Sequence, residues 1–125
     1  MKRILLIDDN LPFLAVQALV LRGAGYEVTT AEHGREGAKL LAGQRFDLVV
    51  TDLVMPEKDG IEVILELRRR GSPIKIIAIS GGGRVGPENY LYMAGKLGAA
   101  ATLTKPFSSD TLLTAVAGLL AAPAA

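Results

Sequence analysis

Five polar residues stand where apolar runs of the chain end. Asp8 and Asp9 close the run KRILLID, Asp52 closes FDLVVTD, Ser80 closes IKIIAIS, and Lys105 closes AATLTK. Three carboxylates brought close together repel one another, and such a cluster is stable when a hard divalent cation sits among them. Mg2+, or Mn2+ in its place, suits oxygen ligands; Mg2+ keeps several waters and often bridges to phosphate, so two carboxylates and a backbone carbonyl would suffice. A lysine ammonium beside them supplies a point charge for a phosphate oxygen. A hydroxyl supplies a hydrogen bond, and an aspartate carboxylate can itself be a nucleophile, forming an aspartyl phosphate.

Such a set needs a frame that brings distant stretches to one place. Short apolar runs alternate five times with amphipathic stretches along the 125 residues. KRILLID, FDLVVTD and IKIIAIS are nearly continuous apolar runs, as expected of strands buried on both faces; YEVTTA and AATLTK complete the set. Asn10 is placed to cap the first helix and Pro12 fits its first turn, with Leu14, Ala18 and Leu21 inward until Gly23 and Gly25. GREGAKLLAG reads as a short helix ending at Gly43. Gly60 opens another with Ile61, Ile64, Leu65 and Leu67 inward, closing at Arg68, Arg69 and Arg70. A helix from Ser108 or Ser109 carries Leu112, Leu113, Val116, Leu119 and Leu120. Strands alternating with helices call for parallel pairing and right-handed crossovers, hence a sheet with helices on both faces. In such sheets ligands gather outside the carboxyl ends of the strands, so all five polar residues are expected on one rim.

Bulk properties narrow the function class. The chain is half apolar, 22% charged and of net charge +1, with acids and bases dispersed. That composition fits one folded domain and gives no footprint for nucleic acid or membrane. The apolar run after Lys2 and Arg3 is too short for a secretory or membrane segment, and there is no cysteine, so a cytoplasmic protein is expected. The domain is expected over residues 1–121, with AAPAA ending in a frayed tail at 122–125.

At these residues the chain resembles the receiver domain of two-component response regulators, in its stand-alone, chemotaxis-type form. The resemblance covers roughly Lys2 to Leu120. It rests on the IDD strand end, on DLVVTDLVMPEKDG, on Ser80 and on TKPF, in that order and spacing. It implies a flavodoxin-like, doubly wound α/β fold with strand order 2-1-3-4-5. It also implies Asp52 as phosphoacceptor, Asp9 as a direct metal ligand, Asp8 acting on the metal through water, and the Val54 backbone carbonyl as a further ligand. Ser80 would be the switch hydroxyl, Lys105 would pair with the phosphoryl group, and Pro106 would supply the family's cis peptide. Implied partners are a sensor histidine kinase or histidine phosphotransfer protein as donor and a downstream protein target, with no nucleic acid and no membrane. The domain would assist its own phosphorylation and slow dephosphorylation without being a turnover enzyme.

Two departures stand out. Thr102 occupies the position, three residues before the lysine, where the family carries Tyr or Phe. The stretch between Ser80 and Lys105 is glycine-rich and long, and is expected to act as a lid that orders on phosphorylation. Other readings are weighed against the receiver: a fragment of a larger response regulator or hybrid kinase, a haloacid-dehalogenase-type phosphatase, and a pseudo-receiver that never takes phosphate. The phosphatase pattern D-x-D fails here because Val54 stands at its second acid. Asp59 and Gly60 read as a turn and helix start, Arg68 to Arg70 as a helix end complementing the macrodipole, and His33 as inert.

Overall fold

A computed structural model describes residues 1–53, 59–81, 92 and 94–121. In chain order the elements are β1 (Arg3–Ile7), α1 (Leu11–Gly23), β2 (Glu27–Ala31), α2 (Gly34–Gly43), β3 (Leu48–Asp52), α3 (Gly60–Arg69), β4 (Lys75–Ser80), β5 (Ala101–Thr104) and a C-terminal helix, α4 (Ser109–Ala121). Tyr92 and residues 94–96 are also helical. The strands form one five-stranded sheet in the order β2-β1-β3-β4-β5. Every pairing is parallel. This is the expected doubly wound, flavodoxin-like arrangement.

Alternation along β1 shows why the sheet must be covered on both sides. Ile4 and Leu6 join one buried cluster with Leu14, Ala18 and Leu21 of α1 and Leu112 and Val116 of α4. Leu5 and Ile7 join the other, with Val63, Ile64 and Leu67 of α3. The period-two placement of side chains on a strand thus feeds two cores at once.

The helix starts follow local chemistry. Asn10 Oδ1 accepts from the Phe13 N–H at 3.2 Å and Asp59 Oδ1 from the Glu62 N–H at 3.0 Å, each satisfying a donor left open in a first turn. Ser108 Oγ accepts from the Thr111 N–H at 3.1 Å, so α4 begins one residue after its cap. Three local expectations need revision. On α3 it is Val63, not Leu65, that is fully buried beside Ile64 and Leu67. His33 is not idle: its Nδ1 accepts from the Glu36 N–H at 3.2 Å and caps α2. Arg68 does more than complement the helix dipole. Its guanidinium donates to the carbonyls of Ser72 at 2.9 Å, Ile74 at 3.2 Å, Leu97 at 3.2 Å and Gly98 at 2.9 Å, tying the end of α3 to the segment that leads into β5.

Candidate functional site

Strand register brings the polar residues together. Ile7 pairs with Thr51, Asp52 with Ile79, and Ser80 with Thr104. The residues at or just past these partners are Asp8, Asp52, Ser80 and Lys105, so four adjacent strands deliver them to the same edge. Neighbouring parallel strands lie ~4.8 Å apart, which is close enough for side chains from adjacent strands to meet. Backbone bonds across the rim hold the level: Asp8 N–H to Ala31 O at 3.1 Å, Leu53 N–H to Ile79 O at 2.9 Å, and Lys105 N–H to Ser80 O at 2.8 Å.

Asp8, Asp9 and Asp52 each present a carboxylate oxygen, and the three atoms lie within 4.8 Å of one another. Asp8 is 1% exposed and Asp52 7%, whereas Asp9 opens to solvent. Lys105 joins two of them. Its Nζ lies 2.9 Å from Asp8 Oδ2 and 3.5 Å from Asp52 Oδ2. Asp8 Oδ1 accepts from the Asn10 N–H at 2.9 Å, so both oxygens of this buried carboxylate have donors. Among the described residues, three carboxylates meet one ammonium, which pairs with two of them, and the local negative excess is the condition under which a divalent cation is bound.

Ser80 is fully buried, and its Oγ has no hydrogen-bond partner among the described residues. A buried hydroxyl left in that state costs about 1–3 kcal/mol, and an incoming acceptor would remove the cost. The carboxylate cluster and this hydroxyl together fit an oxygen-rich group held with a divalent metal.

Val54, whose backbone carbonyl was expected to join the ligands, lies outside the described residues, as do residues 82–91 and 93 of the expected lid. Thr102 sits exposed on β5, paired with Ala78. It shares a shallow cavity of about 510 Å3 with Tyr92, Lys96 and Ala99. Tyr92 is 67% exposed, with Lys96 Nζ 5.4 Å from its ring centre. The Lys105–Pro106 peptide is cis.

Some contributors were not read from the sequence as parts of the site. A Cβ on Gly60 would collide with the Asp52 carbonyl oxygen and lie 2.9 Å from Leu53 Cα, so α3 starts directly against the end of β3. A Cβ on Gly81 would lie 2.5 Å from both Cβ and Cδ of Lys105. The Phe13 ring centre is 4.1 Å from Lys105 Nζ. The glycines belong to unremarkable turn motifs, and Phe13 follows the acid pair at no spacing that signals chemistry. Only the folded geometry exposes them.

The family model for the response regulator receiver domain matches residues 4–117. Transcriptional regulatory protein GlrR of Escherichia coli is 35% identical over 113 residues, covering 90% of this chain and 25% of that protein. Among solved structures, response regulator protein TrrA of Thermotoga maritima, in complex with Mg2+–BeF, is 32% identical with a TM-score of 0.81, covering 95% of this chain and 99% of that one. A CheY-like receiver domain protein of Methanospirillum hungatei is 26% identical with a TM-score of 0.88, covering 97% and 94%. The chain spans 25% to 50% of the length of the first curated relatives it matches. No helix among the described residues is long and apolar enough to cross a membrane. With the match extending from the first strand into the last helix, the chain belongs to the response regulator receiver domain family.

Proposed function

We propose that the Asp52 carboxylate is the phosphoacceptor, with Lys105 and Ser80 as its phosphoryl contacts. A divalent cation, Mg2+ or Mn2+, would be held by Asp8, Asp9, Asp52 and the Val54 carbonyl. The observation that carries this reading is the meeting of Asp8, Asp9 and Asp52 within 4.8 Å, with Lys105 Nζ 2.9 Å and 3.5 Å from two of them. TrrA, solved with Mg2+–BeF, supports the pairing of a divalent metal with a phosphate-like group. When bound, the cation would neutralise charge among the carboxylates and on the transferring group.

The chain's own residues then divide the work. An Asp52 carboxylate oxygen attacks the phosphorus of a partner's phosphohistidine in line. The O–P bond forms as the N–P bond breaks, and the leaving imidazole nitrogen keeps the electron pair. Lys105 turns its ammonium from Asp52 Oδ2 to a phosphoryl oxygen, where it stabilises developing charge. Ser80 donates its hydroxyl hydrogen to another, gaining an acceptor that none of the described residues supplies. The new dianion, gripped from β4 and β5, biases the segment between those strands toward a second arrangement. With Thr102 exposed and carrying no ring, this switch works through that segment and not through an inward-turning aromatic at position 102.

The donor is a sensor histidine kinase or a histidine phosphotransfer protein in the cytoplasm. The domain, taken as residues 1–121, is an acceptor and not a turnover enzyme. Its output passes by protein contact or onward phosphotransfer. The greater length of the relatives favours a second reading of the output, in which the domain acts on further domains of a longer protein.

Incubation with acetyl phosphate and Mg2+, followed by intact mass, tests the core of the reading. One phosphoryl group is expected, absent in Asp52→Asn. Labelling that survives in that variant removes the assignment.

A further inference from the structure

Lys105 is held on more sides than phosphate chemistry requires. Its ammonium meets Asp8 Oδ2 at 2.9 Å and Asp52 Oδ2 at 3.5 Å. Its stem lies against Gly81, which has no room for a Cβ. Another side meets an aromatic face: Nζ lies 4.1 Å from the centre of Phe13, a half-buried residue of the first turn of α1. That ring is itself fixed. Phe107, two residues past Lys105, meets it edge to face with centroids 5.7 Å apart and planes at 88°, the favoured geometry of an aromatic pair. Phe13 and Phe107 therefore connect α1 to the segment that carries the lysine.

We propose that Phe13 is a positioning residue for Lys105, its ring face holding the ammonium between the acid cluster and the place of the phosphoryl group. This rests on the assignment of Lys105 as a phosphoryl contact.

The physical case is one of donors and freedom. An ammonium has three N–H donors on a stem with four rotatable bonds. The two carboxylates engage some of these donors, and without the ring water would hydrate the side that Phe13 covers. The ring's negative face replaces that water with a fixed partner that asks for no particular N–H direction. Lys105 can then exchange its Asp52 contact for a phosphoryl oxygen by a small rotation while the ring keeps it in place. Pre-ordering a long side chain in this way lowers the entropy to be lost as phosphorus is transferred. An aliphatic side chain at position 13 would fill the space and would not hold the charge.

The test combines two variants of Phe13 with two backgrounds. Phe13→Leu removes the ring with most of the volume retained, and Phe13→Tyr restores a ring. Both are made with Lys105 present and with Lys105→Met. Initial labelling rates are read by intact mass at saturating Mg2+ and fixed acetyl phosphate. Phe13→Leu is expected to slow labelling about fivefold, within the roughly two- to thirtyfold range of a cation–π contact. Phe13→Tyr is expected within twofold of the parent. In the Lys105→Met background Phe13→Leu should change the rate by less than twofold. An unchanged rate in Phe13→Leu, or an equal loss in both backgrounds, overturns the proposal.

A second readout is independent of phosphorylation. The ε-methylene protons of Lys105 should resonate upfield through the ring current, and return to ordinary lysine positions in Phe13→Leu. Absence of that upfield shift overturns the positioning role even if labelling proceeds. Should the parent protein not be labelled at Asp52, the phosphoacceptor reading fails, and the proton shifts alone decide whether the ring holds the lysine.

Discussion

Asp8 and Asp9 are neighbours in sequence with opposite environments, one 1% exposed and paired with Lys105, the other open to solvent. The exposed carboxylate can give ligands to a cation with little desolvation, whereas the buried one is already bonded. Asp9→Asn is therefore expected to leave the metal-free protein at least as stable as the parent, by relieving repulsion in the cluster. The same change should remove most of the gain from Mg2+. In the parent that gain is about 2.7 kcal/mol at a hundredfold excess over the dissociation constant. Urea unfolding with and without Mg2+ reads both numbers, and an undiminished Mg2+ effect in Asp9→Asn excludes Asp9 as a ligand. Lys105→Met works the other way. It strips the 2.9 Å donor from Asp8 Oδ2 in the buried wall of the site. The metal-free protein should lose about 1–3 kcal/mol, seen as a lower urea midpoint at constant slope. Added Mg2+ should recover much of that loss, because the cation gives the carboxylates another partner.

At the scale of elements, the junction of β3 and α3 decides where Asp52 points. Gly60 is the first residue of α3, and its Cα faces the Asp52 carbonyl with no space for a methyl group. Alanine is the better helix former by up to ~1 kcal/mol, yet the steric conflict is against backbone, which cannot swing aside. Gly60→Ala is expected to destabilise by about 1–3 kcal/mol net and to slow acetyl phosphate labelling, since relief comes only by shifting β3 or α3. A variant with unchanged melting temperature and labelling rate would show that the junction has slack. This junction also marks how far sequence reading reaches. The strands ending in Asp8, Asp52 and Ser80 were legible because burial on both faces demands unbroken apolar runs and the polar residue that ends each run is conspicuous. The cap at Asn10 was legible for a similar reason, a short polar side chain before an amphipathic run having one evident use; at Asp59 and Gly60 only a turn and helix start were read, and the structure adds the Asp59 cap. Contacts between elements left no such trace. Arg68 looks like any cation at a helix end, and its four carbonyl partners include two some thirty residues away. Phe13 and Gly81 touch Lys105 only because α1, β4 and β5 converge, and no spacing in the chain announces that. Val63 over Leu65 is decided by how α3 rotates against the sheet.

For the whole molecule the consequence of a doubly covered sheet is that its two cores share a backbone. In β1, Ile4 and Leu6 belong to the cluster under α1 and α4, while Leu5 and Ile7 belong to the cluster under α2 and α3. β3 is divided likewise, Leu48 and Val50 to one side and Val49 to the other. Losing either layer exposes one whole face of these strands and leaves them covered on one side only, so the two cores should be lost together in one transition. Leu21→Ala opens a cavity under α1 and Ile64→Ala one under α3, at side chains fully buried in the parent. Each is expected to cost about 2–5 kcal/mol, a large part of the 5–15 kcal/mol typical of a domain. The distinguishing measurement is native-state hydrogen exchange of Val49 and Val50, central in β3 between the two layers. Both variants should lower protection at both amides by the full loss read from urea unfolding, whichever side the cavity is on. If Leu21→Ala lowers overall stability by that amount and leaves Val49 and Val50 protected as in the parent, the layers open separately. A shape change begun at the carboxylate cluster could then stay on one face of the sheet. If protection falls equally, the central strands are a rigid common floor, and the switch must act through the segments at the carboxyl edge, where Ser80 and Lys105 lie.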